Sequence, residues 1–149
     1  MELVEFAYAS LRHADPTVRT EAIRHLDAII TNLESAMEVW RSVDTNRPKH
    51  SLGSLMYMLD AAAIHRLDEL SRAADQALKA LCHLAGPAAA QRASLIPHLV
   101  ETAFWQLKEQ ETLADRVAAN LAKMGERVAR LKAMREELSA HAAPERMAA

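Results

Sequence analysis

The sequence predicts an all-α fold: an antiparallel helical bundle of three long helices plus one or two short helices, with coiled-coil character in the long C-terminal helix. Three observations carry this reading. Alanine and leucine fill nearly every window of the 149 residues, whereas strand formers never cluster. Apolar residues recur at steps of three and four over three long stretches. Turn formers gather at a few boundaries, and glycine, with three residues in the chain, is scarce elsewhere.

Composition sets the outer bounds. Half the residues are hydrophobic (50%) and 26% are charged, which is globular usage, and the length suits one domain with its own core. Residues 1–139 are assigned to that domain and 140–149 to a flexible C-terminal tail. A net charge of −2 with no run of Lys and Arg offers no field for phosphate backbones, so no nucleic acid is expected as a partner. The single cysteine, Cys82, permits no internal disulfide; it reads as a buried structural thiol and fits a reducing compartment. Acids lead the chain and no apolar run reaches membrane-spanning length, so a cytoplasmic protein with no membrane segment is expected.

Residues 2–13 form a short first helix, a lid or cap, with Leu3, Phe6, Ala7 and Leu11 on one side. Asp15 and Pro16 then start a second: the carboxylate accepts from free backbone N–H groups, and proline at the first position has no donor to waste. Asp15, Pro16, Thr17, Val18, Arg19, Thr20, Glu21 and Ala22 resemble the inter-helix turn and second-helix start of a HEAT repeat. The resemblance spans about one repeat, and no second copy recurs at the period of about 40–47 residues that such arrays use. The second helix continues to about Val43 along a seam of Ala22, Leu26, Ile29, Leu33, Ala36, Trp40 and Val43, widened by Ile23, Ile30 and Met37. Residues 44–51 are a loop. Ser51 caps a third helix that runs to Leu84 or Ala85, where Gly86 stops it and Pro87 restarts the chain. Residues 88–96 form a short helix or the first turns of the last one. Residues 97–138 read as one long helix capped by Ser94 and ending near Ser139, with Gly125 as a bend, a close crossing or a break. At 1.5 Å per residue it reaches about 60 Å against about 40 Å for the second helix, which leaves an overhang to be covered.

Chemistry is sparse. His25 lies one turn from Glu21, and His65 one turn from Glu69, the spacing that lets two groups share a helix face. His25, His65 and Glu69 are therefore the metal candidates, and Met37 or the 56–58 cluster would extend them to haem or a small ligand. The Glu-x-x-His pairs of dimetal bundles and a His-x-x-x-His spacing are both absent. No cofactor is assigned. Around His65 the sequence looks superficially like a phosphotransfer histidine region, but Asp68 and Glu69 stand where a cation and a small residue belong. The acid pairs Glu34/Glu38 and Glu111/Asp115 lack a converging second motif, and no phosphate loop or nucleophile elbow occurs, so no catalytic residue is named.

What remains is surface. Phe104 and Trp105 are adjacent, so they point about 100° apart and one reaches away from the bundle. Leu121, Met124, Val128, Leu131 and Leu138 form a seam flanked by Lys123, Glu126, Arg127, Arg130, Lys132, Arg135, Glu136 and Glu137, a pattern that suits contact with another helix. These seven aromatic and aliphatic residues are the partner-binding candidates. The function read from the sequence is non-enzymatic: a bundle acting through protein–protein interaction, as a homodimer or as an adaptor or chaperone-like module for a partner helix. The alternatives are a bundle holding a metal, haem or small ligand near His25 and His65 and, behind it, an all-helical enzyme or phosphotransfer module.

Overall fold

The computed structural model describes residues 1–45, 59–96, 99–100, 102 and 112–148, with side chains up to residue 140. Among them are five helices and no strand: α1 (Glu2–Leu11), α2 (Pro16–Arg41), α3 (Ala61–Ala85), α4 (Pro87–Ser94) and α5 (Leu113–Ala148). The three-long, two-short bundle expected from the seams is what the chain forms.

Local chemistry places most of the boundaries. Asp15 Oδ1 accepts from the Val18 N–H at 3.0 Å, and Pro16 opens α2. One turn on, the largely buried Arg19 reaches back and donates from Nη1 to the Ala14 carbonyl at 2.7 Å, tying the α1–α2 turn to the helix that follows it. Gly86 sits at φ 127°, in the region that penalises any Cβ, so it ends α3 and hands over to Pro87 at the start of α4.

Three boundaries differ from the sequence reading. Ser94 does not cap the last helix; its Oγ donates to the Gln91 carbonyl at 2.6 Å and α4 ends there. α5 starts instead at Thr112, whose Oγ1 accepts from the Asp115 N–H at 3.0 Å while the Asp115 carboxylate accepts from the Thr112 N–H at 3.1 Å. This is a reciprocal capping box. At the other end, α5 does not stop near Ser139 but is helical through Pro144 to Ala148; no glycine intervenes, and Ala140, Ala142, Ala143 and Ala148 are good helix formers. The third helix, expected from Ser51, begins at Ala61; Leu59 and Asp60 precede it, and 51–58 lie outside the described residues.

α2 is the central helix, packed on α3 along one side and on α5 along the other. Both neighbours run antiparallel to it. Lys132 and Arg135 of α5 meet Glu34 and Asp27 of α2 in descending order. Near the start of α3, the Leu67 carbonyl accepts from Thr102, whose own carbonyl accepts from Trp40 near the end of α2, while farther along Leu78 lines a small cavity with Ile29 and Leu33. Trp40, Leu26, Leu33, Leu67, Leu81, Leu131 and Met134 are fully buried along this three-helix core. Each contributes about 1.5–3 kcal/mol of gross hydrophobic stabilisation.

Val100 and Thr102, expected to be helical, are non-helical and are held by side chains of their neighbours. The Val100 N–H donates to Asp75 at 2.5 Å, and the Val100 carbonyl accepts from Ser71 at 2.6 Å. Trp40 Nε1 donates to the Thr102 carbonyl at 2.7 Å, and Thr102 Oγ1 donates to Leu67 at 3.1 Å. Backbone groups that a helix would have satisfied internally are satisfied here by α2 and α3.

Candidate partner-binding site

The buried side of α5 runs through Leu113, Val117, Asn120, Met124, Val128, Leu131, Met134 and Leu138, in steps of three and four. Met124, Val128, Leu131 and Leu138, expected to face a partner, therefore lie in the chain's own core. Leu131 and Leu138 are 0% exposed. Leu121 is half-buried, and its expected place in the seam is taken by Asn120, at 1% exposure. Four-three-four spacing from Leu113 selects residue 120, not 121, and that count was the available signal. Phe104 and Trp105 lie outside the described residues.

Four of the charges flanking the seam are also met from within. On one edge Arg130 forks onto Glu5 of α1, with Nε and Nη2 donating at 2.5 and 2.9 Å, and Arg12 pairs with Glu137 at 3.5 Å. On the other edge Lys132 reaches Glu34 at 3.2 Å and Arg135 reaches Asp27 at 2.7 Å, both on α2. The helices that answer α5's pattern are α1 and α2. The overhang foreseen past Leu121 does not arise, because α5 runs unbroken through Gly125 alongside α2.

Gly125 lines an open groove of about 630 Å³ between α2 and α5. Its floor is Met37, Gly125, Val128 and Ala129, and its rim carries Glu34, Glu38, Arg41 and Lys132. An added Cβ at Gly125 would lie 3.7 Å from the Met37 methyl, an ordinary contact. The rim carboxylates are already matched: Glu34 by Lys132 across the groove, and Glu38 by Arg41 one turn along α2. They do not converge on a common point as a cation site requires.

The histidine candidates are not brought together. His25 sits in the first half of α2 and His65 in the first half of α3, and because the helices are antiparallel they lie on opposite sides of the bundle's middle, about 17 Å apart along the axis with the helix midpoints set level. His65 Nε2 is 2.7 Å from Glu69 in an exposed pair, and Glu21 pairs with Arg24 at 2.6 Å instead of His25. No three His, Cys, Asp or Glu side chains group at metal-binding distance among the described residues.

Two buried groups are perturbed. Burial pushes the Cys82 thiol up to about 11, which keeps it protonated and unreactive near neutrality. The Tyr8 hydroxyl is pushed up to about 12, first by burial and then by the neighbouring Glu137 carboxylate. Both shifts favour the neutral form and suit packing, not acid–base chemistry. No helix among the described residues is long and apolar enough to cross a membrane. No protein-family model, curated protein or solved structure matches this chain.

Proposed function

We propose that the protein is a non-enzymatic helical module that works by association, and that a second copy of the chain seats in the α2–α5 groove to form a homodimer. Gly125 carries this reading. A glycine inside a helix costs about 1 kcal/mol relative to alanine. The chain's own packing does not ask for it, since a methyl group fits there at ordinary contact distance from Met37. A helix approaching from outside does ask for it, because Gly125 and Ala129 together make a smooth floor on which backbones come close. The rim supports self-association as well. It presents both signs, Glu34 and Glu38 against Arg41 and Lys132, so two copies related by a twofold axis set opposite charges against each other.

Size-exclusion chromatography with light scattering tests the proposal. The expected mass is twice the 16.5 kDa of one chain, and Ala129→Arg, at an exposed position of the groove, is expected to halve it with the far-ultraviolet helical signal unchanged. A wild-type protein that stays monomeric at the highest concentration measured refutes the homodimer.

A further inference from the structure

We draw no further inference here: the strongest candidate, the surface pocket that Lys123, Arg127 and Arg130 of α5 line beside the start of α1, carries nothing, because Glu5 and Glu126 line it too, Arg130 is already held by Glu5, and nothing in the structure shows what anion would occupy it.

Discussion

Leu131→Ala separates a core position from a partner contact. Leu131 is 0% exposed and lines the cavity under α1 with Val4, Ile29, Leu33 and Leu78. Truncating a fully buried leucine costs about 2–5 kcal/mol, through lost transfer energy and the space left behind. That is a large share of the about 5–15 kcal/mol that holds a domain of this kind together. With a urea slope of about 2 kcal/mol per molar, the unfolding midpoint is expected to fall by about 1–2.5 M. Because the stability of a dimer depends on concentration, the comparison belongs in the Ala129→Arg background. Circular dichroism follows the transition. A midpoint that moves by less than about 0.3 M would refute the assignment to the core, and dissociation of the proposed dimer by Leu131→Ala at unchanged stability would place the residue at a partner surface.

Other consequences follow from single residues. Gly86→Ala puts a Cβ on backbone at φ 127° and is expected to cost about 1–3 kcal/mol by urea titration, although the space around it is open. Unchanged stability would mean the α3–α4 joint is not strained by a side chain. Tyr8 has a folded value near 12 against 10.0 for the free group, so its contribution is complete below pH 10 and is lost as pH rises from 10 to 12. Tyr8→Phe is expected to flatten that alkaline limb, leaving the loss above pH 9 that comes from Cys82; an unaltered limb would show that Tyr8 ionises freely in the fold. Glu5 is held below its usual 4.5 by the hydrogen bonds from Arg130, so its contribution is present above pH 4.5 and lost as pH falls further. The pair is exposed, so Glu5→Gln is expected to remove only a few tenths of a kcal/mol of acid sensitivity in pH-dependent melting, and a steeper acid loss in the variant would contradict it.

The parts of the fold legible in the sequence were those where local chemistry and tertiary packing agree. Asp15 with Pro16, and Gly86 with Pro87, act within one turn of themselves, and the seam of α2 buries the residues its spacing selects from Ala22 to Trp40. Val100 and Thr102 depart from the helix expected there: the apolar spacing around them mimics a helix, while the groups that hold their backbone, Ser71, Asp75 and Trp40, are distant in sequence. The start of α5 was legible but overlooked: Thr112 and Asp115 form a capping box that outranks Ser94. The burial of Met124, Val128, Leu131 and Leu138 was not legible for another reason. Periodicity shows that Leu131 and Leu138 need a neighbouring helix, and flanking charges show its polarity, but neither says whose helix it is. Glu5, Arg12, Asp27 and Glu34 had the complementary signs all along, on α1 and α2. The groove at Gly125 lies beyond any pattern in one helix, since its floor is shared between α2 and α5.

Association through that groove is tested most directly by a distance between identical labels. Ala133 is exposed on α5 near the groove, and the buried thiol of Cys82 leaves a new cysteine there selectively reactive. A nitroxide on Ala133→Cys, one per chain, gives a dipolar signal only when two chains meet. Pulsed electron spin resonance is expected to show a single narrow distance that vanishes on adding Ala129→Arg. A featureless decay for the otherwise native chain, as isolated monomers give, would contradict the account.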